Sequence, residues 1–271
     1  MSGLAGTPVG DWHGGQSTRT ARCVLAPNPS PMTLDGTNTW VLHEPGASAA
    51  LVIDPGPADE GHLAAVVDAV ESLGARVERI LLTHGHLDHS EGAGRLAELT
   101  GAPVLALDPL QRLGSEGLAE GDIVRADSLV LQVVATPGHT SDSLSFVLPA
   151  DGAVLTGDTV LGRGTTVVAH PDGRLADYLE SLQRLGSLAD GGAFDTVLPG
   201  HGPVLTDAAS VVQAYLAHRR TRLDQVRAAV EAGDTTPRQV VERVYADVDR
   251  AVWPAAELSV RAQLEYLRSR S

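Results

Sequence analysis

Thr83-His84-Gly85-His86-Leu87-Asp88-His89 is the stretch on which the reading of this chain turns, with four potential metal-binding side chains inside six positions. On a helix, His84 and His86 would point about 200° apart, whereas at a strand end or in a tight loop both can turn to one centre. Asp88 and His89 follow directly, so one short loop can feed two adjacent metals. Imidazole nitrogen and carboxylate oxygen suit Zn²⁺, and also Fe or Mn.

Three later segments repeat one design: an apolar run ends in a turn marked by Gly or Pro, and the turn carries a donor. They are Ala135-Thr136-Pro137-Gly138-His139-Thr140, Leu155-Thr156-Gly157-Asp158-Thr159 and Val197-Leu198-Pro199-Gly200-His201-Gly202-Pro203. With the first cluster they supply five His and two Asp. That count suits two metals sharing one carboxylate, with water in the open positions. Two divalent ions a few ångström apart lower the pKa of a bound water toward about 7, which makes a bridging hydroxide available to attack a carbonyl or phosphorus. Asp88 is the candidate to orient this nucleophile or shuttle its proton. Thr83, Thr136 and Thr159 adjoin donors and are candidates to orient them. His13, His43, His62, His170 and His218 lack a comparable setting and read as exposed or hydrogen-bonded residues. Of these, only His170, downstream of Asp158, is placed to reach the pocket.

The donors, in this order, resemble the five metal-binding motifs of the metallo-β-lactamase superfamily: the HxHxDH loop at His84–His89, then His139, Asp158 and His201. Val52-Ile53-Asp54-Pro55-Gly56, ahead of them, looks like the family's first strand-and-turn motif. The resemblance implies that His84, His86 and His139 bind one metal, that Asp88, His89 and His201 bind a second, and that Asp158 bridges. Segments 28–40, 157–166 and 215–219 are similar to the lactamase-β-2-like group, whose members include a single-strand-selective endoribonuclease and whose tail is winged-helix-like. The resemblance spans about residues 22 to 268. It implies an α/β four-layer αββα sandwich over residues 1–206 and a small C-terminal helical, winged-helix-like appendage over 207–271. The loop at 28–38 and Arg163 are expected to contact substrate, the alternative being that the loop is a structural lid and Arg163 pairs with a nearby acid. Asp158 stands where one β-lactamase subclass carries a cysteine ligand, which points away from true β-lactamase action.

Composition narrows the function. A chain of 271 residues, 43% of them apolar, can bury a full core. No apolar run approaches the roughly 18 to 20 residues of a membrane span. The first 20 residues show neither an apolar export segment nor an Arg-rich transit pattern, so a cytoplasmic location is expected. The single cysteine, Cys23, excludes an intrachain disulfide and reads as a small apolar strand residue. Net charge is −14, unevenly spread: residues 1–214 carry 10 Arg and 26 acids, and residues 215–271 carry 10 Arg and 8 acids. An acidic body repels polyanions, and only 3% aromatic residues leave few platforms for base stacking.

Periodicity places strands at 39–42, 50–53, 79–82, 104–107, 129–134, 144–148, 153–155 and 196–198. Helices are expected at 59–73, 90–99, 174–188 and 206–231, then from Arg238, and at 255–268. Taken alone, this pattern gives an α/β domain with much sheet. The leading expectation is a dinuclear metal-dependent hydrolase for a small ester or thioester or for an RNA phosphodiester. A single-strand endoribonuclease is the first alternative, and a metal-stabilised nucleic-acid-binding or regulatory module without turnover is the second. No membrane or DNA partner is expected.

Overall fold

The computed structural model describes residues 10–270; the first nine residues, part of the stretch read as lacking an export signal, and Ser271 lie outside the described residues. The N-terminal sheet places β1 (Gly15–Gln16), β2 (Ala21–Leu25), β3 (Asn38–Leu42), β4 (Ala49–Ile53), β5 (Arg76–Leu81) and β6 (Val104–Leu105) side by side in chain order. The first four pair antiparallel, and β5 and β6 join in parallel. Parallel neighbours require crossovers. α1 (Glu60–Glu71) supplies the first, and α2 (Leu87–Ser90) with α3 (Ala93–Thr100) supplies the second.

The C-terminal sheet contains β7 (Ile123–Ala126), β8 (Leu129–Ala135), β9 (Leu144–Leu148), β10 (Ala153–Gly157) and β11 (Thr196–Pro199), with β7 and β11 at its edges. Only β10 and β11 are parallel, and α4 (Leu175–Asp190) crosses between them.

Strand alternation sorts side chains into layers. Trp40 and Leu42 point inward to meet Leu131 and Phe146 of the facing sheet. Their neighbour Val41 points outward onto Leu63 and Val66 of α1. Val147 and Val154 point outward from the other sheet against Tyr178 and Leu182 of α4. The strands β3, β4, β9 and β10 are buried on both faces, and β4 is accordingly apolar throughout. The result is the expected αββα sandwich. Each fully buried large apolar side chain contributes roughly 1.5–3 kcal/mol.

Three helices follow: α5 (Ala208–Glu231), α6 (Pro237–Val244) and α7 (Trp253–Arg268). Val212, Tyr215 and Leu216 of α5 pack with α4. Further along α5, Val226 and Ala229 pack with Val240, Val241, Trp253 and Val260. α6 opens with a reciprocal cap between Thr236 and Gln239 and with Pro237 at its first position, as the Gly233–Pro237 break suggested. Among the described residues, no helix is long and apolar enough to cross a membrane.

Sequence and structure differ in places. The strands β1 and β7 were not expected, being short and at sheet edges. The helix expected at 90–99 is interrupted. Gly92 donates its amide to Gly56 O at 2.9 Å, and a Cβ there would meet Pro57 O at 2.9 Å. The chain must hug the Asp54–Pro57 turn at this point, which separates the four-residue α2 from α3.

Candidate metal centre

The strands β4, β5, β10 and β11 all end at one edge of the sandwich, and each is followed by a polar group. β4 leads to Asp54, β5 to Thr83 and His84, β10 to Asp158, and β11 to His201. The turn between β8 and β9 adds His139 at the same edge. His86 precedes α2, and Asp88 and His89 lie in its single turn rather than in an open loop. The two sheets approach closely here. A Cβ on Gly157 would lie 2.5 Å from Thr83 Oγ1, and one on Gly200 would lie 2.7 Å from Asp158 Oδ1 and 2.8 Å from His89 Cε1. Only glycine leaves room for the donors at these two positions.

All seven expected donors converge. His86 Nδ1 lies 3.1 Å from His84 Nε2 and 3.0 Å from His139 Nε2. His201 Nε2 lies 3.2 Å from both His89 Nε2 and Asp88 Oδ2. Asp158 stands between the two sets. Its Oδ1 is 3.3 Å from His89 Nε2 and 3.4 Å from His201 Nε2, while its Oδ2 is 3.6 Å from His139 Nε2. Among the described residues, three overlapping groups can hold a metal: His84 with His86 and His139, His84 with His89 and Asp158, and Asp88 with His89 and His201.

The partners behind the imidazoles decide which nitrogen faces the centre. His89 Nδ1 donates to Asp54 Oδ2 at 2.9 Å, His139 Nδ1 to Val167 O at 2.7 Å and His201 Nδ1 to Gly36 O at 3.1 Å. Thr83 Oγ1 donates to Asp54 Oδ2 at 2.6 Å, so its lone pair accepts from His84 Nδ1 at 3.0 Å. The Nε2 lone pairs of His84, His89, His139 and His201 are thereby turned inward. At 3.0–3.2 Å each facing pair of ring nitrogens needs a proton or a metal ion between them. These spacings match donors arranged about an ion at roughly 2.0–2.2 Å from each. Among the described residues Asp158 Oδ1 is buried and makes no hydrogen bond, although imidazoles flank it. The residues therefore fit a pair of cations.

Electrostatics agree with the fit. Burial, reinforced by neighbouring imidazoles, holds His84 well below the ordinary histidine range, so it is neutral and free to donate its lone pair. Burial likewise depresses His139. At His89 and His201 burial works in the same direction but is outweighed. Asp158 and Asp54 raise His89 well above its ordinary value, and Asp158 and Asp88 bring His201 up to about 9. Burial would also raise Asp158, but the His201 and His89 imidazoles hold it well below the usual carboxylate range. Without another cation, this concentration of carboxylate charge favours protonation of His89 and His201, and a bound metal ion would take the place of those protons.

Asp54, in the strand-and-turn motif ahead of the donors, has a role that its sequence setting does not reveal. It orients His89 directly and His84 through Thr83, and its Oδ1 accepts the Thr83 amide at 2.8 Å. Its backbone is left-handed, with φ of 52°, an uncommon conformation outside glycine that places the carboxylate behind both rings. The signal that found the other donors, an apolar run ending in a Pro-Gly turn, is present here too. Thr83 orients a donor as expected. Thr136 and Thr159 instead bond within the core, Thr136 Oγ1 with Ser145 Oγ at 2.9 Å and Thr159 Oγ1 to Thr136 Oγ1 at 3.3 Å. His170 turns away from the pocket to Glu265 of α7, at 2.8 Å. His62 and His43 are hydrogen-bonded, to Thr39 Oγ1 and Ala47 O, each at 2.9 Å. Cys23 is buried on β2, and burial pushes its thiol up, away from reactivity.

Arg163 is buried at 9% exposure and ion-paired with Asp35 of the 28–38 loop. Its Nε and Nη1 have no hydrogen-bond partner among the described residues. Beside His86 opens a cleft of about 490 Å³ whose lining includes Asp108, Gln111, Asp142 and Asp172.

The family model described as the metallo-beta-lactamase superfamily matches residues 32–201, and one described as the beta-lactamase associated winged helix domain matches residues 236–270. A Caenorhabditis elegans "Beta-lactamase-like protein 2 homolog" is 33% identical over 252 residues, covering 90% of this chain and 82% of the relative. An Aspergillus fumigatus "Atrochrysone carboxyl ACP thioesterase" is 34% identical over 223 residues, covering 79% of this chain but only 66% of the relative. Among solved structures, a beta-lactamase domain protein from Burkholderia ambifaria aligns with a TM-score of 0.81 at 23% identity, covering 98% of this chain and 92% of that one.

Proposed function

This chain belongs to the metallo-β-lactamase superfamily of metal-dependent hydrolases, and from that premise we propose that it is a dinuclear enzyme cleaving small esters or thioesters. The observation that carries the two-metal reading is Asp158, which presents one carboxylate oxygen to each donor set. His84, His86 and His139 would hold one ion, and Asp88, His89 and His201 the other. Zinc is the ion we assign, from the imidazole-rich donor set. When bound, the pair supplies an activated water at neutral pH and a Lewis acid for the reacting oxygen.

The chain's own groups do the rest. Asp88 is 32% exposed, whereas the His89 and His201 side chains beside it are at most 1% exposed. Its carboxylate thus adjoins the reacting centre from the solvent side and can orient the nucleophile and take its proton. Burial would raise its pKa, but the adjacent His201 and His89 hold it below its ordinary value, so it is ionised and able to accept. Asp54, Val167 and Gly36 keep the imidazoles fixed through the reaction.

Substrate class follows from the cleft beside His86, where Asp108, Asp142 and Asp172 contribute carboxylates. With the −14 net charge, this favours an acyl substrate over a polyanion such as RNA. The thioesterase relative supports the same preference. We take residues 1–206 as the catalytic domain and 207–271 as the appendage.

Purified zinc-loaded protein, assayed on ester and thioester panels, a nitrophenyl phosphodiester and labelled single-stranded RNA, should turn over acyl substrates and lose that activity to chelator. Cleavage of RNA alone would replace this reading with the endoribonuclease. No turnover by fully metallated protein would replace it with a binding module.

A further inference from the structure

Arg163 was expected to touch substrate, yet its surroundings describe a different task. It closes a ring of contacts around His201. Starting from that residue, His201 O accepts the Gly162 amide at 2.8 Å. Gly162 is covalently followed by Arg163, whose Nη2 donates to Asp35 Oδ2. Asp35 is followed by Gly36, whose carbonyl accepts from His201 Nδ1 at 3.1 Å. The backbone and the ring of His201 are thus held by two different loops, and the Arg163–Asp35 pair ties those loops together.

The ring has little slack. Both side chains of the ion pair are deeply buried, at 8% and 3% exposure. A Cβ on Gly162 would lie 2.3 Å from Pro203 O, and one on Gly36 would lie 2.1 Å from Ala26 O. Neither loop can shift toward its neighbour. Thr37 forms a bridge with His201, and the Gly200 carbonyl accepts the Asn38 amide at 2.8 Å, so the Asp35 loop follows His201 closely. Asp35 Oδ1 also accepts the Gly10 amide at 2.7 Å, so both oxygens of this carboxylate are engaged within the chain. Removing one member of a buried ion pair strands the other charge, so the loops would separate rather than relax in place.

We infer that Arg163 and Asp35 are positioning residues that hold His201 for the second cation, and that they serve the second donor set without touching substrate. This rests on the two-metal reading above. The first donor set hangs from other supports, Thr83 and Val167, and does not use this ring.

The test isolates each donor set. In a His86→Ala background only the second set keeps its three donors, and in a His201→Ala background only the first does. Zinc affinity is measured by competition with a chromophoric chelator in both backgrounds, with and without Arg163→Gln and, separately, Asp35→Asn. We expect each change to weaken zinc binding 10- to 100-fold in the His86→Ala background, the range for orienting partners of metal ligands. In the His201→Ala background the change should stay under about twofold, and that retained affinity shows that the variants still fold. The doubly changed Asp35→Asn, Arg163→Gln protein should lose no more than either single variant, as members of one linkage do.

Equal weakening in both backgrounds, or none in either, overturns the inference. So does an Arg163→Gln enzyme that keeps its metal affinities and kcat but shows a raised KM, because that assigns Arg163 to substrate. If the parent chain binds fewer than two zinc ions, the two-metal reading fails first and this inference falls with it.

Discussion

The two donor sets lie side by side, share Asp158, and are built differently. In the first set, His84 and His139 are buried, but His86 is exposed and borders the open cleft. The charge within that set comes only from the shared carboxylate. In the second set His89 and His201 are almost fully buried, Asp88 adds its own charge, and Asp54 places another carboxylate behind His89. An anionic partner on the far side of a ligating imidazole raises its basicity and fixes its orientation. The two sets therefore divide the work. The second set should hold its ion more tightly, and the first should exchange more readily and face the substrate. Graded chelation of the loaded protein should therefore remove one ion well before the other.

The largest effect should come from the residue both sets share. Asp158→Ala should weaken both ions and reduce turnover on the order of 10³-fold, the scale of losing an electrostatic stabiliser in a catalytic site. Retention of one tightly held ion by that variant would show that the sets are independent. Gly200→Ala comes next, because its Cβ would sit 2.7 Å from Asp158 Oδ1 and 2.8 Å from His89 Cε1. Displacing these donors should weaken the second ion roughly 10- to 100-fold and lower stability by about 1–3 kcal/mol, read by chelator competition and by denaturant unfolding.

Asp54→Asn keeps a side chain that tolerates the left-handed backbone while removing the charge behind His89. It should weaken the second ion about tenfold, near the lower end for orienting partners, and the first ion less. The reverse order would overturn the contrast between the sets. The smallest effect belongs to Thr83→Val, which removes only the hydroxyl between Asp54 and His84. The hydroxyl makes both bonds, so a shift of several-fold is expected, largest at the first ion, within the scale of two hydrogen bonds at about 1 kcal/mol each.

Much of this arrangement was legible in the sequence, because each donor sits where an apolar run meets Gly or Pro. Such runs fold as strands of the two sheets, and their shared edge collects whatever the turns carry. The helices were legible from their spacing and the start of α6 from Thr236-Pro237. The remaining features depend on tertiary contact. β1 is two residues long and carries no periodicity. The break at Gly92 depends on a turn about 35 residues earlier in the chain. Thr136 and Thr159 lie near donors in sequence as Thr83 does, and the direction of each hydroxyl separates their roles. Arg163 reads in sequence as a loop cation near the site, and which acid it pairs with is not legible there, because Asp35 is 128 positions away.

The central claim is that seven side chains from both sheets hold two cations across Asp158. Crystals of the zinc-loaded protein, with anomalous data collected on both sides of the zinc edge, test it most directly. We predict two peaks per chain, one among His84, His86 and His139, the other among Asp88, His89 and His201, each in contact with a different oxygen of Asp158. A single peak, or two peaks that leave Asp158 uncoordinated, would contradict it.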